Sequence, residues 1–337
     1  MVIQHDVSLL PYNTFHLQAT ADSLCEIKSA ADLGVLYNEG KLHQPMLILG
    51  GGSNIVFTRD YEGLVLLNRV PGRTIIQEDE ENVLVELGGG ENWHACVQWS
   101  VNQGWGGIEN MSLIPGTVGA APVQNIGAYG VELKDVFHSL IAFDMHTGML
   151  RTFHYSDCHF GYRDSLFKNK GKGRYFILQV LLKLNKKPAV HTRYGDIQAE
   201  LAAMGVSNPG IKEVAEAVIA IRRSKLPDPA ELGNCGSFFK NPVVDSALAD
   251  HLQEEYPELK RFEAGPGRTK LAAGWLIEKA GWKGFRRGAV GVHSRQALVL
   301  VNYGGGTGAE IRQLAQDVQQ SVLEKFGVQL EMEVNIV

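Results

Sequence analysis

Two glycine-rich stretches restrict what this chain can fold into and bind. Gly50-Gly-Gly-Ser-Asn54 follows the apolar run Met46-Leu-Ile-Leu49 directly, and Gly116-Thr-Val-Gly119 opens a long run of small residues. Backbone that lacks Cβ atoms can approach a flat or anionic ligand closely, and several N–H groups in such a loop can converge on one phosphate. We therefore predict that both stretches are loops at the binding site of a phosphorylated ligand.

Two further glycine clusters are better explained by ordinary turns. Gly88-Gly-Gly90 follows a predicted strand, and glycine is the commonest turn residue. Gly304-Gly-Gly-Thr-Gly-Ala309 has the outline of a dinucleotide-binding fingerprint, but Glu324, the acidic residue further on, lies inside the helix that the motif itself begins. We interpret this motif as a glycine-rich hairpin or the start of a helix. The sequence contains no P-loop and no nucleophile elbow.

Composition narrows the class of protein and its partners. A chain of 337 residues is expected to form two or three domains. Its net charge of -5 offers no general attraction to nucleic acid or to an anionic membrane, and no obligate protein partner is implied. The four cysteines are scattered without a C-x-x-C pair, which indicates reduced thiols and neither a disulfide framework nor a metal site. No segment has the features of a signal peptide or a membrane span, so we predict a cytoplasmic protein.

Short strand-like runs alternate with helical patterns along the chain, which predicts an α+β fold. Predicted strands cover 46–49, 55–57, 83–87, 141–143, 150–153, 175–184 and 297–302, and the alternation in 328–337 predicts a closing strand. Predicted helices cover 93–101, 213–225, 244–255, 270–280 and 309–326. Pro227-Asp-Pro229 stops the helix over 213–225 and indicates that a separate region starts near residue 226.

A series of short motifs runs along the whole chain. They are Tyr12-Asn-Thr-Phe15, Leu47-Ile-Leu-Gly-Gly-Gly-Ser-Asn54, Leu113-Ile-Pro-Gly-Thr-Val-Gly119, Gln124-Asn-Ile-Gly-Ala-Tyr-Gly130, Phe160-Gly-Tyr-Arg-Asp-Ser165, Lys225-Leu-Pro-Asp-Pro229, Gly236-Ser-Phe-Phe-Lys-Asn-Pro242, Leu271-Ala-Ala-Gly-Trp-Leu-Ile277 and Gln296-Ala-Leu-Val-Leu300. Any one of them could arise by chance, but in this order they closely resemble the UDP-N-acetylenolpyruvoylglucosamine reductase family of flavoenzymes. Tyr194-Gly-Asp196, in an inserted segment, resembles the longer, type I branch of that family.

The resemblance implies a division into domains. Two α+β subdomains of the vanillyl-alcohol-oxidase (PCMH) type would bind FAD, and a C-terminal α+β domain would cover the substrate. We predict the first FAD-binding subdomain at 1–70 and the second at 71–225, joined by the C-terminal strand 327–337. The substrate-binding domain is predicted at 226–326.

The resemblance also implies the cofactor and its binding residues. FAD would be held non-covalently, and NADPH would be the hydride donor. The residues implied to bind FAD are Gly50, Gly51, Gly52, Ser53, Asn54, Pro115, Gly116, Gly119, Ala120, Val123, Gln124, Gly127, Ile177 and Arg222. Val118, Ile126 and Ile177 could contact the isoalloxazine ring, although each is typical of an apolar core.

The implied reaction converts UDP-N-acetylglucosamine enolpyruvate to UDP-N-acetylmuramate for bacterial peptidoglycan. Hydride adds to the β-carbon of the enolpyruvyl ether and leaves a carbanion at the α-carbon, so cationic or hydrogen-bonding groups must face the substrate carboxylate. Arg163 is our candidate, and we expect it on a strand, where it could not easily pair with its neighbour Asp164. Glu333 matches the family's terminal glutamate at the same carboxylate.

Ser237 is the predicted proton donor to the α-carbon. Because a carbanion is a very strong base, a weak acid such as a serine hydroxyl suffices. In isolation such a serine is typical of a turn or a helix cap, and only its motif favours the catalytic role. Cys235 is chemically able to act as an acid too, but no His or Lys beside it lowers the pKa of its thiol.

The remaining implied residues would hold the UDP-sugar. Tyr194, Lys225, Asn241 and Gln296 match the family's binding positions, with Tyr129 and Tyr162 near the sugar and the flavin. Lys225 could equally be a solvated cation at a helix end. Where the family usually has Glu-Val-Arg near its C-terminus, this chain has Glu333-Val-Asn335, and the sequence assigns Asn335 no function.

Two other classes of function remain open at this point. Another FAD-dependent oxidoreductase of the same superfamily, acting on a different sugar or alcohol, would share the glycine loops. It should lack the motif around Ser237 and the pair Arg163 and Glu333. A non-catalytic nucleotide-sugar-binding protein would keep Lys225 and Asn241 without a flavin, and the colour of the purified protein distinguishes it.

Overall fold

The computed structural model describes residues 2–42 and 45–337, so three residues of the predicted first subdomain lie outside the described residues. The strands are β1 Ile3–Ser8, β2 Thr20–Ile27, β3 Met46–Leu49, β4 Ile55–Val56, β5 Tyr61–Asn68, β6 Arg73–Glu78, β7 Asn82–Gly88, β8 Gly127–Ala128, β9 Val131–Glu132, β10 Phe137–Asp144, β11 Met149–His154, β12 Tyr175–Asn185, β13 Gly233–Ser237, β14 Val243–Asp245, β15 Arg261–Glu263, β16 Arg268–Leu271, β17 Arg286–Arg287, β18 Val290–Val292, β19 Val299–Asn302 and β20 Asn335–Ile336. The helices are α1 Ala30–Asn38, α2 Trp93–Asn102, α3 Tyr155–Cys158, α4 Ile197–Ala203, α5 Ile211–Lys225, α6 Ser246–Glu255, α7 Ala273–Lys279 and α8 Gly308–Phe326.

The chain forms two compact units, each assembled from separate stretches. Unit 1 comprises the described residues of Met1–Val7, Ala21–Gly51 and Glu62–Ser224. Unit 2 comprises Ser8–Thr20, Gly52–Tyr61 and Lys225–Val337. One boundary therefore falls inside the first glycine loop, and another at the end of α5. The three-part division expected from the sequence stays a prediction.

Unit 1 is built around an antiparallel sheet with the strand order β11-β10-β12-β7-β6. Successive side chains of a strand point to opposite faces. In the central strand β12, Phe176 and Leu178 pack in one hydrophobic core, and Tyr175 and Ile177 pack in the other. This sheet is therefore buried on both faces, which explains the nearly continuous apolar run in β12.

A second sheet of unit 1, with the order β1-β2-β5-β3, leads into the first glycine loop. Helix α1 packs Leu33 and Leu36 into the core that this sheet shares with β12. The helix starts with a capping box, in which Ser29 and Asp32 each accept the other's backbone N–H. Strand β3 runs parallel to β5 and ends at Leu49, so the glycine loop leaves its carboxyl end.

Unit 2 contains a sheet with the order β13-β19-β18-β17 and the long helix α8. Ile311, Leu314 and Val318 recur at helical spacing and pack in the core of unit 2. A capping box between Thr307 and Glu310 fixes the first turn. These signals are local in the sequence, and the helix predicted over 309–326 is confirmed.

The glycine motif at 304–309 is the start of a helix, as we predicted. Asn302 ends β19, and its side-chain oxygen accepts the N–H groups of Gly304 and Gly306, each at 3.0 Å. Gly304 and Gly305 have φ angles of 108° and 76°, a region that favours glycine. Helix α8 follows at once and contains Glu324.

The closing strand predicted over 328–337 is largely wrong. Only Asn335–Ile336 forms a strand, parallel to β4, and one isolated bridge joins Met332 to Phe239. The apolar alternation has another cause, because Val328, Leu330 and Val334 pack in the core of unit 2. Strand β4 offers only two residues for pairing, so no longer ladder forms.

Most other predicted elements are present, with differences at their ends; the strand predicted at 297–302, for example, begins at Val299. The strands predicted at 46–49, 83–87 and 175–184 correspond to β3, β7 and β12. The helices predicted from 244 and 270 begin later, at Ser246 and Ala273, because the preceding residues pair as β14 and β16.

None of the helices formed by the described residues combines the length and the apolar character that a membrane crossing requires.

Candidate active site

Two loops of unit 1 approach each other closely. A Cβ atom added to Gly50 would lie 2.4 Å from Thr117 Oγ1, and one added to Gly51 would lie 3.0 Å from Gly116 Cα. We call Gly50, Gly51, Gly116 and Thr117 the glycine cradle. Within the described residues, the backbone N–H groups of Gly51, Gly116 and Thr117 donate to no protein acceptor. Such N–H groups are what an anion-binding loop offers.

Five side chains of unit 1 have a buried polar atom without a hydrogen-bond partner among the described residues, namely Gln98, Asn110, Ser112, Thr117 and Arg222. Two of these atoms are Thr117 Oγ1 in the glycine cradle and Arg222 Nε on α5. Burial lowers the pKa of Arg222; Tyr129 opposes this shift, and the positive charge of Arg163 adds to it. Burying a cation or a hydroxyl without a partner is costly, so both groups fit an anionic ligand. The donor set suits a phosphorylated cofactor such as FAD.

The other residues predicted to bind the cofactor in unit 1 surround this loop. Gly119 donates its N–H to the Gly89 carbonyl at 2.8 Å, and a Cβ there would lie 2.7 Å from Asn68 Nδ2. Packing within the protein therefore already requires glycine at 119. Pro115 and Ala120 are exposed, Val123, Gln124 and Gly127 are half-buried, and Val118, Ile126 and Ile177 pack in the core.

Arg163 lies in a tight turn, so our expectation of a strand is wrong. Hydrogen bonds between the backbones of residues 161 and 164 close the turn, and Arg163 has a φ of 53°. Its guanidinium donates to the carbonyls of Gly127 at 2.5 Å and Asn125 at 3.5 Å. The carboxylate of Asp164 accepts the Asn169 side chain at 2.7 Å. Backbone carbonyls therefore position the Arg163 charge beside the segment that follows the glycine cradle.

The three predicted tyrosines also belong to unit 1. The Tyr162 ring centre lies 5.5 Å from the guanidinium carbon of Arg163, within cation–π range. A Cβ added to Gly195 would lie 3.4 Å from the Tyr129 ring, which brings the inserted segment next to Tyr129. Tyr194, in the same segment, is 41% exposed. The inserted segment thus places the exposed Tyr194 beside the chain at Tyr129 and Gly130.

In unit 2, the second half of the first glycine loop is tied to the C-terminal segment. The Asn54 carbonyl accepts both the backbone N–H of Asn335 at 3.1 Å and its side-chain amide at 3.0 Å. The Asn54 amide donates to the Glu333 carbonyl at 3.3 Å. A Cβ on Gly52 would lie 1.9 Å from the Tyr12 carbonyl oxygen, so glycine is required there. These contacts fix the loop that contains Ser53. They show that Asn335 anchors this loop to the C-terminal segment.

Ser237 is exposed at the end of β13, beside the C-terminal segment. The next residue, Phe238, accepts the backbone N–H of Glu333 at 2.8 Å. The structure therefore brings Ser237 and Glu333, which are far apart in the sequence, onto adjacent segments. Burial raises the pKa of the Cys235 thiol, and the negative charge of Glu333 raises it further. Ser237 is accessible to a ligand, whereas the Cys235 thiol is buried.

Asn241 and Gln296 meet at the start of α7. Asn241 Oδ1 accepts the backbone N–H of Ala273 at 2.9 Å and so caps this helix. A Cβ on Gly274 would lie 3.1 Å from Gln296 Oε1. Lys225 is exposed at the end of α5.

Sequence reasoning missed two polar residues of unit 1. Thr117 stands inside a recognised motif, and a hydroxyl directly after a glycine in that motif was a signal that the sequence offered. His94 gave no signal, because its ring contacts Leu113, which is distant in the sequence: its Nδ1 accepts the Leu113 N–H at 2.9 Å.

Two family models match the chain in separate ranges. The model described as "FAD binding domain" matches residues 23–153, which include the glycine cradle. The model described as "UDP-N-acetylenolpyruvoylglucosamine reductase, C-terminal domain" matches residues 228–337, which include Ser237 and Glu333.

Whole-chain comparisons agree with these matches. The UDP-N-acetylenolpyruvoylglucosamine reductase of Pseudomonas aeruginosa is 52% identical, and the alignment covers 99% of this chain and 98% of that protein. The reductase of the same name from Amoebophilus asiaticus is 50% identical over 100% of both chains. The crystal structure of the Thermus caldophilus reductase aligns with a TM-score of 0.68 at 22% identity, over 100% of this chain and 99% of that one. That likeness concerns the fold and confirms the predicted fold class.

Proposed function

The chain belongs to the UDP-N-acetylenolpyruvoylglucosamine reductase family, and we propose that it reduces UDP-N-acetylglucosamine enolpyruvate to UDP-N-acetylmuramate with NADPH. It is an oxidoreductase with FAD as its cofactor. The observation that carries the proposal is the glycine cradle with the buried, unpartnered atoms of Thr117 and Arg222. These groups would bind the FAD pyrophosphate through backbone N–H groups, a hydroxyl and a cation.

FAD held at the glycine cradle would supply the hydride transfer from NADPH to the β-carbon of the enolpyruvyl group. The protein must then stabilise negative charge on the substrate carboxylate and α-carbon. Arg163 would supply a fixed positive charge for this, because carbonyls of residues 125 and 127 already hold its guanidinium. Glu333 would bind at the same carboxylate through a shared proton or hydrogen bond.

Ser237 would transfer its hydroxyl proton to the α-carbon and complete the new C–H bond. The resulting serine alkoxide would regain a proton from water, to which Ser237 is accessible. The Cys235 thiol is buried and so is less accessible to a substrate. Exposure therefore favours the serine.

The UDP-sugar would bind through the residues that match the family's binding positions. Lys225 would pair with the diphosphate, and Asn241 and Gln296 would donate their side-chain amides. Tyr129, Tyr162 and Tyr194 would line the sugar. As part of the same proposal, the protein acts in the cytoplasm in peptidoglycan synthesis; its four cysteines are all free, as a reducing compartment requires.

Anaerobic flavin spectroscopy tests the proposal. We expect the purified protein to be yellow and NADPH to bleach it without any sugar nucleotide. Adding UDP-N-acetylglucosamine enolpyruvate should restore the colour with formation of UDP-N-acetylmuramate. A colourless protein that takes up no FAD, or a reduced flavin that this substrate leaves reduced, would contradict the proposal.

The order of binding can be tested in the same system. We propose that NADPH and the sugar nucleotide use one site in turn, because we find no Rossmann fingerprint that would hold the nicotinamide separately. Initial-rate plots should be parallel lines. Intersecting lines, which indicate a ternary complex, would count against a shared site.

A further inference from the structure

We propose that His94 is a positioning residue for the glycine cradle, acting through its Nδ1 atom on Leu113. This inference rests on the proposed FAD site, and every contact that carries it lies within unit 1. His94 belongs to α2, and its Nδ1 lies 2.9 Å from the backbone nitrogen of Leu113. Leu113 stands three residues before Gly116, which contacts Gly51 in the cradle.

The hydrogen bond fixes the tautomer of His94. A backbone N–H can only donate, so Nδ1 must accept, and the ring proton lies on Nε2. A protonated imidazole would carry a hydrogen on Nδ1 and lose this bond. Burial lowers the pKa of His94, and the positive charges of Arg223 and Arg222 lower it further. The environment thus favours the neutral form that can accept.

Leu113 needs such a partner because its backbone is strained. Its φ of 59° lies in the left-handed region, which side chains with a Cβ rarely adopt. Strained conformations persist where surrounding contacts over-determine them, and they cluster at binding sites. The hydrogen bond that Leu113 donates to His94 therefore stabilises the residue from which the chain enters the glycine cradle.

The start of α2 supports the same loop at three further points. The Trp93 indole donates to the Met111 carbonyl at 3.1 Å, and the Trp93 backbone N–H donates to Gly116 at 3.0 Å. The Val118 N–H donates to Glu91 at 2.9 Å. Two of these contacts join backbone groups, and the third involves a fully buried indole. His94 makes its contact through a polar side chain that is only half-buried, so it can be substituted with little disturbance to the core.

The test is the affinity of the apoprotein for FAD, measured by quenching of flavin fluorescence. His94→Leu should weaken FAD binding roughly 10-fold, since it removes the hydrogen bond that holds the strained backbone of Leu113 in place. His94→Asn should stay close to wild type, because Oδ1 of asparagine occupies nearly the position of Nδ1. His94→Gln places its oxygen one bond further out and should lose most of the affinity. His138→Leu is the matched control, since the His138 side chain is exposed and its ring nitrogen is hydrogen-bonded to the neighbouring Ser139 hydroxyl.

A second pair of variants, made in a protein that carries Leu113→Gly, distinguishes a positioning role of His94 from a general effect on stability. Leu113→Gly removes the strain at φ 59°, so adding His94→Leu there should cost no more than about twofold in FAD affinity. The proposal is overturned if His94→Leu binds FAD like wild type, if His94→Asn is as weak as His94→Leu, or if the loss persists fully in the Leu113→Gly background. Should His94→Leu fail to fold, His94→Asn and His94→Gln test the proposal instead, and equal FAD affinity of these two variants would overturn it. A wild-type protein that binds no FAD would instead overturn the proposed function.

Discussion

The two units hold their candidate residues in contrasting ways. In unit 1, Thr117 and Arg222 have buried atoms without a protein partner, and Arg163 and Tyr129 are fixed with positive φ. In unit 2, Ser237 is exposed at a strand end. A buried, strained and unsatisfied site suits a ligand that stays bound, whereas exposed groups suit one that exchanges with solvent. We therefore expect variants of Thr117 and Arg222 to change cofactor retention and variants of Ser237 to change turnover with the cofactor retained.

The largest effect is expected at Ser237. Ser237→Ala should accept hydride from NADPH at nearly the normal rate, because that step contains no substrate carbanion. Reoxidation by the enolpyruvyl substrate should slow by about 10² to 10⁴, the usual loss for a positioned general acid. Rapid-mixing absorbance of the flavin band measures each half-reaction separately.

Two further variants sharpen this test. Ser237→Cys should recover part of the rate, because a thiol still offers a proton, although its larger sulfur misplaces it. Ser294→Ala, at another exposed serine of unit 2, is the control and should leave both half-reactions unchanged. Equal slowing of both halves in Ser237→Ala would make Ser237 structural and move the proton donor to Glu333 or a bound water.

In unit 1, Arg222→Met should weaken FAD binding. Methionine keeps much of the volume but removes the buried charge, and a charge-assisted hydrogen bond contributes about 1.5 to 3 kcal/mol, or roughly 10- to 150-fold in affinity. The control is Arg223→Met, one residue along α5 and exposed. Fluorescence titration of the apoproteins measures both. Normal FAD affinity with impaired turnover would break the contrast between the units.

Lys225→Ala should chiefly raise the KM for the UDP-sugar. The expected loss is again about 1.5 to 3 kcal/mol, but it should fall on substrate binding, with less effect on flavin reduction by NADPH. Lys212→Ala, an exposed lysine near the start of the same helix, is the control. Equal binding of the UDP-sugar to Lys225→Ala and wild type in calorimetry would remove Lys225 from the site.

Features set by local spacing could be predicted from the sequence, and those set by distant contacts could not. Helix α8 follows from apolar residues at helical spacing and a capping box, and β12 follows from one long apolar run. Strand β20 is short because of its partner β4, which no local pattern reveals.

The same distinction holds at the site. The glycine loops and Ser237 could be predicted from the sequence, because a motif of a few consecutive residues contains the groups that the chemistry requires. The position of the Arg163 guanidinium depends on the carbonyls of Asn125 and Gly127, and the role of Asn335 depends on Asn54, so both required the folded chain.

The smallest effect is expected at Cys235, although it lies two residues from Ser237. Burial and the charge of Glu333 raise the pKa of its thiol, and burial raises the pKa of Cys96 to about 11 and that of Cys158 to about 12. Because the thiolate is the reactive form, native protein at pH 8 should resist alkylation by iodoacetamide at these three residues. Cys235→Ala should bind FAD normally and keep its turnover within a few-fold of wild type. Rapid labelling of Cys235 in the folded protein would contradict the burial of its thiol. Loss of turnover in Cys235→Ala with full flavin content would show that this thiol takes part in the chemistry and that Ser237 is its neighbour rather than the proton donor.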